Sequence, residues 1–541
     1  MSDDFDAVVV GAGLGGLTAA ARLAAEGLTV LVLESDPHPG GTAYSYERKG
    51  FLFPMGPLGF SSPDLVRDII QKVGITSGLE TRRVHYELRA FGMRVPLSRP
   101  YHEMIEGLSK LFPAEEASIS RFFGHVRNMA RLQYRLAREG AASLRRAEAV
   151  DAKDYLDGLI EDWRLKRILG SMGSREPYSD MALLSAMWSL LCDKGIHYPS
   201  VGMRGLCDLL AGVLGWEPKL PITGDPSRCR NRAQREEDAV GTPSSGKANP
   251  ASILALGTRV SRITVERGRA TGVILSDGTR VSAKAVISNA DFKSTFLGLL
   301  PRESVPDGLY HAVRSARQTH SNLQVCLGVD ASLADLSAFR EASRVIHRRH
   351  RDGVPFTDSG PDWETPMIDP SSLAGEELEA ALLSADDPRV APPGHAVLVL
   401  RTAASYRHFA RFRTDRGRRA RGYFAYKTSL ARALVEEAEG FVPGLARAVT
   451  YTDVATPLTF EEWGGRSEGA VAGWSWEREA REGRMAIELV CTPVAGLYMA
   501  GYQAFSMLAL GGVPSAMLSG LKAAEYLMAS ADPVSEMSIP R

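Results

Sequence analysis

At 541 residues the chain is too long for one small hydrophobic core, so two or more packed units are expected. Lys+Arg and Asp+Glu stand at 64 each, a formal net charge of zero at pH 7, so no global field draws nucleic acid or a charged membrane. The five cysteines (Cys192, Cys207, Cys229, Cys326 and Cys491) lack metal-type spacing and read as reduced thiols, with no disulfide framework and no zinc or other metal site.

Met1-Ser2-Asp3-Asp4-Phe5 is short and acidic and lacks the positive start and apolar segment of a secretory signal, which places the chain in the cytoplasm. The β-branched run Ala7–Val10 leads into Gly11-Ala12-Gly13-Leu14-Gly15-Gly16, and then into the helical run Thr18–Ala24. This is the strand–turn–helix of a dinucleotide site. Gly11 allows the tight turn, Gly13 lets backbone approach a pyrophosphate, and Gly16 lets the helix pack close to the strand. The phosphates belong at the helix amino end, where free N–H groups and the dipole favour negative charge. Gly27 ends the helix, and Leu28–Leu33 is a second buried strand finishing at Glu34. An acidic residue roughly 20 positions beyond the glycines suits a ribose hydroxyl pair and repels a 2′-phosphate, which favours FAD or NAD over NADP. The plainer alternative is a βαβ unit whose glycines only turn the chain.

The segment Ser35-Asp36-Pro37-His38-Pro39-Gly40-Gly41-Thr42 brings a second glycine pair close to the acidic strand end, giving the backbone another approach to a phosphate or sugar. Simple NAD dehydrogenases have no need of it, so FAD is the expected cofactor, with Ser35, Gly40, Gly41 and Thr42 among its contacts. Together with Gly50–Pro57, this segment resembles the flavoprotein superfamily of phytoene desaturases, carotenoid isomerases, retinol saturases and flavin amine oxidases. That superfamily usually has an acidic residue where Pro54 stands here. The resemblance implies an α/β fold: a Rossmann-like FAD-binding domain of the GR2 flavoprotein type, interleaved with an α+β substrate domain.

A mostly helical region follows. Arg121–Arg146 carries Phe122, Val126, Met129, Leu132 and Leu136 at helical spacing with arginines between them. It reads as a cap helix with a solvated basic face, or as an interfacial helix on anionic lipid. At His197–Leu206 the resemblance predicts Tyr-Pro-x-Gly-Gly-Met, with Val201 replacing the first glycine of the pair. His197 and Tyr198 are expected to face the flavin cavity, and His197 is the candidate proton exchanger near neutral pH, set against a hydrogen-bonded structural histidine. Trp216–Pro250 is rich in Pro, Gly, Ser, Arg and Asn without apolar period and reads as a surface insertion.

Thr258–Val265, Ala270–Leu275 and Arg280–Ala283, separated by Arg-Gly and Asp-Gly turns, predict a β-meander, and Ala285–Ala290 a buried strand rejoining the parallel sheet. The resemblance makes Val260 a backbone partner of adenine and places Asn289 near the nucleotide. Leu323–Val329 and Ala396–Leu400 are expected strands of the substrate domain. Arg348–Arg351 and Arg411–Arg421 are basic runs, solvated faces first, docking on a substrate-bearing membrane second.

Thr456-Pro457 and Gly469–Trp474 resemble a Thr-Pro … Gly-x-x-x-Gly-Trp stretch of retinol-saturase and carotenoid-isomerase relatives. Gly496–Gly501 reads as a strand ending in glycine, followed by Gly511-Gly512-Val513-Pro514 and a helix over Ser515–Met528. The resemblance sets the flavin ring against this Gly-Gly-x-Pro turn, so Gly501, Tyr502, Gly512 and Val513 join the expected cofactor set. Relatives carry Gly-Asp or Gly-Gln at Gly501-Tyr502. Tyr502 either stacks near the ribityl chain, with a catalytic role beside His197, or is a core residue. Val490–Leu521 has no charge, but its Pro and Gly residues break it into strand, loop and helix, so a buried segment is expected rather than a membrane span.

The expected division is an FAD-binding domain over 1–73, 200–300 and 485–541, a substrate domain over 74–199 and 301–484, and a flexible insertion at 216–250. The expected activity is desaturation or saturation, a hydride moving between flavin N5 and a C–C or C=C unit of a lipophilic polyene or isoprenoid. A non-redox cis–trans isomerase, a flavin amine oxidase and an escort resembling the Rab GDP-dissociation inhibitors are the alternatives. The expected partners are a lipophilic small molecule and a peripheral membrane contact, with no nucleic acid.

Overall fold

The computed structural model describes residues 5–139, 150–171, 180–217, 252–348, 377–414, 418–473, 489–504 and 511–531. Residues 218–250 of the Pro/Gly-rich stretch, together with Cys229, Arg349–Arg351 and Trp474, lie outside them.

The opening apolar run forms the strand Phe5–Val10, pairing in parallel with Val30–Leu33 on one side and with Arg280–Ser288 on the other. Ile253–Ala255 extends the sheet beyond Val30–Leu33, and Leu497–Met499 pairs in parallel with the end of Arg280–Ser288. Residues from both ends of the chain therefore share one sheet. The glycine-motif helix, Leu14–Ala25, and the closing helix, Gly512–Ala531, pack together over it.

The two segments read separately as Arg280–Ala283 and Ala285–Ala290 are one strand, Arg280–Ser288, with Asn289 and Ala290 just beyond its end. Its first half is antiparallel to Arg269–Leu275 and alternates in burial; its second half is parallel and buried at every position. Sheets covered on both faces demand continuous apolar runs, so the pattern changes where the partner changes. Other boundaries also move. The second strand begins at Val30, because Thr29 turns to Asp6 through both its N–H and its hydroxyl. The helix placed at Cys207–Leu214 spans Gly202–Gly212, and the closing helix starts at Gly512 rather than Ser515.

A second sheet runs in the order Val449–Ala455, Ser321–Asp330, His395–Ala404, Leu378–Leu382, Arg344–Arg348, Tyr86–Ala90, Met93–Pro96. One face buries Leu323, Val325, Leu327, Leu398 and Leu400 against Leu430 and Leu434 of the helix Tyr423–Glu439. The other face, with Cys326, Ala381, Val397 and Val399, packs on Phe51 and Phe53 of the strand Phe51–Pro54. That strand is the bearing between the lobes: Gln324 Nε2 donates to Pro54 O at 2.8 Å, and the fully buried Arg344 donates to Leu58 O at 3.0 Å. A helical cap completes the second lobe. In its helix Glu116–Glu139, Phe122, Phe123 and Val126 are buried with Trp188 as a core, while Arg121, Arg127 and Arg131 are exposed. No described helix is long and apolar enough to cross a membrane.

Candidate dinucleotide site

The parallel strands end together, and the chain turns there with glycine wherever backbone meets backbone. Gly11 has φ +94°, and its N–H donates to Leu33 O at 2.8 Å. A Cβ on Gly16 would lie 2.1 Å from Gly11 O, so the helix sits as close to its strand as only glycine permits. Gly13 precedes the helix without any side-chain cap, and no acidic residue occupies the first turn. The first amides of a helix have no intrahelical acceptor, so those of Leu14, Gly15 and Gly16 are left for an anion.

Glu34 organises the next layer. Its Oε2 accepts Ala12 N–H at 2.7 Å, and its Oε1 accepts Asp36 N–H at 2.8 Å and the Ser35 hydroxyl at 3.1 Å. One buried carboxylate thus ties the first glycine turn to the segment leading to the second. Burial, and then the Glu34 charge, raise the Asp36 carboxyl above its ordinary value. The second turn lies directly on the first: Gly40 N–H donates to Ala12 O at 2.7 Å, and a Cβ on Gly41 would sit 3.2 Å from Gly13 Cα. A Cβ on Gly40 would meet Cys207 Sγ at 2.5 Å.

Asn289 closes the third side. Its N–H donates to Val10 O at 2.8 Å and its Nδ2 to Gly11 O at 3.4 Å. Gly501, at φ +98°, arrives from the far end of the chain, its N–H donating to Ser519 Oγ at 2.8 Å. A Cβ on Gly15 would stand 2.5 Å from Gly501 N and 2.7 Å from Asn289 Oδ1. The closing helix begins at Gly512 and Val513, with Gly511 against Ser61: a Cβ there would be 2.7 Å from Ser61 Oγ.

Of the residues expected from sequence, Gly11–Gly16, Glu34, Ser35, Gly40, Gly41, Asn289 and Gly501 meet in this cradle. Thr42 adjoins it, accepting from Arg466 Nη2 at 2.6 Å. Tyr502 lies close enough to Arg466 to act on its charge. Val260 starts the strand Val260–Glu266, two residues past Thr258, whose N–H donates to Glu34 O at 2.7 Å.

His197 stands apart. It lies in the strand Ile196–Pro199, its Nδ1 3.3 Å from Thr81 Oγ1, and burial is the main cause holding its pKa below the ordinary 6.5. The charges acting on it are Arg83, Asp64 and Arg67, none of them part of the cradle. Tyr198 is buried toward the Asp386–Asp387 corner of the second sheet.

Sequence reasoning missed Arg466, Asp291, Ser519 and Gly520. Arg466 lies between the Thr456-Pro457 and Gly469–Trp474 blocks that the resemblance picked out, and Asp291 follows Asn289 by two positions, so both stood beside a visible signal. Gly520 had none: a Cβ on it would lie 2.0 Å from Gly15 O, a contact made across the whole chain length.

The family model of an NAD(P)-binding Rossmann-like domain matches residues 9–73, the segment that builds both glycine turns. Across most of its length the chain is similar to the chloroplastic prolycopene isomerase of Arabidopsis thaliana, 26% identical over 520 residues, covering 93% of this chain and 79% of that one. It is also similar to the zeta-carotene-forming phytoene desaturase of Myxococcus xanthus, 30% identical over 310 residues, 54% of each chain. The chain is thus similar to carotenoid isomerases over most of its length and to phytoene desaturases over about half of it. An oxidoreductase from Methanosarcina mazei shares the fold, with a TM-score of 0.62 at 18% identity, covering 96% of this chain and 99% of that one. The cradle fits a dinucleotide: glycines where phosphates approach, an uncapped helix amino end for their charge, and a carboxylate where the ribose belongs.

Proposed function

We propose that the protein is an FAD-dependent oxidoreductase, a desaturase or saturase, acting on a C–C or C=C unit of a lipophilic polyene or isoprenoid. One observation carries the reading: Gly15 and Gly501, from opposite ends of the chain, meet around a single cradle. Bound FAD supplies the two-electron exchange at its ring. The chain's own groups do the rest. The amides opening Leu14–Ala25 hold the diphosphate, and Glu34 orients the adenosine ribose while excluding a 2′-phosphate. The amino end of Gly512–Ala531, also free of acidic residues in its first turn, favours negative charge on whatever lies before it. Phe51, Phe53 and Leu58 wall the lobe junction with apolar surface that keeps water out.

A second reading, a non-redox cis–trans isomerase, draws support from the relatives named prolycopene isomerase that match 93% of this chain. Mass decides between them. Anaerobic incubation of the yellow, oxidised holoprotein with a candidate polyene should lower product mass by two hydrogens and bleach the flavin band for a desaturase; the holoprotein pre-reduced with dithionite should raise the mass by two hydrogens and regain the band for a saturase; an isomerase leaves the mass unchanged in both. A colourless protein that takes up no FAD would overturn both. Substrate delivery from a membrane belongs to the same proposal: Phe424 and Trp463 are 66% and 55% exposed, and Arg411, Arg413, Arg418 and Arg421 are exposed on nearby sequence. Aromatic and basic side chains together suit an anionic interface.

A further inference from the structure

The face of the second sheet that packs on Phe51 and Phe53 is closed at one end and open at the other. Along the strand His395–Ala404, Val397 and Val399 are fully buried on that face, Arg401 is partly exposed and Ala403 is exposed. Glu379 pairs with Arg401 across the ladder and is partly exposed too, as is Ile346 opposite Glu379. The open end abuts the cradle on two sides. Arg401 Nη2 donates to Gly56 O, and a Cβ on Gly56 would lie 2.6 Å from Thr42 O. Ala403 pairs with Asn322, and just before Asn322, His320 O accepts Val471 N–H at 3.1 Å. From that segment a Cβ on Gly473 would strike Gln503, just past Gly501, at 2.6 Å. Tyr86, partly exposed, packs against both the core of the first sheet and that of the helical cap. The accessible patch therefore lies where the nucleotide lobe, the second sheet and the cap meet.

Three polar groups stand on this patch. Arg401 Nε donates to Gln324 Oε1 at 2.7 Å, but no hydrogen bond among the described residues uses Arg401 Nη1, the Glu379 carboxylate or the Tyr86 hydroxyl. The three lie close enough to act on one another. Burial lowers the Arg401 pKa against the pull of Glu379, while burial and then Glu379 raise that of the Tyr86 hydroxyl, which stays protonated. A hydrocarbon end seated here would cut a cation and a carboxylate off from water without pairing either. An anionic end, carboxylate or phosphate, would suit Arg401 but be repelled by Glu379. A carbonyl can accept but cannot donate. A hydroxyl does both. We propose that Arg401, Glu379 and Tyr86 form the specificity site of the substrate cavity, where the terminal hydroxyl of a long isoprenoid accepts from Arg401 and Tyr86 and donates to Glu379. This rests on the lipophilic-substrate reading and narrows it to hydroxylated molecules.

The test titrates the full-length protein with geranylgeraniol, geranylgeranic acid and the hydrocarbon of the same chain without oxygen. Binding is followed by the shift in melting temperature, and the flavin band, which these colourless probes leave clear, is read in parallel. The parent should hold the alcohol at least about tenfold more tightly than the hydrocarbon or the acid. Glu379→Gln removes the repulsion and should bring the acid within about threefold of the alcohol, with the hydrocarbon within about twofold of its parental value. Tyr86→Phe loses only a hydroxyl and should weaken the alcohol about fivefold, again sparing the hydrocarbon. Ligand-free melting temperatures within about 2 °C of the parent establish that the lobe junction of each variant is intact. Absence of a preference for the alcohol in the parent overturns the assignment. So does an equal loss of all three probes in both variants, the mark of a merely structural role. A parent that prefers the alcohol yet takes up no FAD is a different result: it keeps the specificity site and removes the cofactor reading.

Discussion

Gly15 and Gly501 are 486 positions apart in sequence, yet a methyl group on the first would lie 2.5 Å from the backbone nitrogen of the second. The same methyl would lie 2.7 Å from Asn289 Oδ1. Gly15→Ala therefore has to push the helix off the Gly501 turn or Asn289 off Gly11. The expected outcome is a loss of about 1–3 kcal/mol in stability, the usual range for overpacking. Cofactor retention should fall with it. Thermal denaturation and the flavin-to-protein absorbance ratio measure the two effects, and a variant with parental melting and full flavin would contradict the close approach.

Gly520 supports that contact from the opposite side. In an isolated helix, alanine in place of glycine gains about 1 kcal/mol. Here the added methyl meets Gly15 O at 2.0 Å, and overpacking of up to about 3 kcal/mol outweighs the propensity. Gly520→Ala should lower the melting temperature, whereas Gly298→Ala, with nothing within 4 Å of its added methyl, should not. A stabilised Gly520→Ala would refute the packing.

Glu34 meets donors on both oxygens, so Glu34→Gln cannot be conservative. Whichever way the amide turns, its NH2 faces the N–H of Ala12 or of Asp36. Leaving a buried N–H unpaired weakens the cradle by about 1–3 kcal/mol. FAD titration should show at least about a tenfold loss of affinity. Equal affinity in the two proteins would show that Glu34 is not organising the turn.

His197 yields a pH prediction of definite sign. Burial depresses its folded pKa below 6.5, so between that lowered value and 6.5 the unfolded chain binds more protons than the fold. Its contribution to stability is thus present above pH 6.5 and lost as pH falls through the folded value. His197→Asn should flatten that part of the acid slope, read as the urea midpoint from pH 7 to about pH 5. Because the charges acting on His197 lie outside the cradle, flavin content and turnover should match the parent. A turnover defect at full flavin would return His197 to the mechanism.

Much of the nucleotide half was legible because its signals are local. A β-branched run, three spaced glycines and a terminal acid are each explained by the backbone within a few residues, and Gly11, Gly13, Gly16 and Glu34 fall where such spacing sets them. The closing Gly511–Pro514 signal was visible for the same reason, although Gly512, Val513 and Pro514 are the first residues of the helix and not a turn before it. Strand ends were less legible: Leu28 and Thr29 look as apolar or β-prone as Val30, yet Thr29 gives the neighbouring strand only its carbonyl, accepting Ala7 N–H, and turns its own N–H and hydroxyl to Asp6. The break read into Arg280–Ala290 had a similar origin. Its burial pattern changes with its partners, and partners are not written in a strand's own residues.

What the amino-acid order determined alone is the chemistry available at each turn: where backbone can come close, where charge is repelled, where a helix can begin. What only the tertiary structure decided is which distant groups share that space. Gly520 on Gly15, Arg466 on Thr42 and Ser467 on Asp291 are long-range meetings. A folded chain sets such meetings through the packing of whole sheets and helices, and no short window of sequence contains that packing.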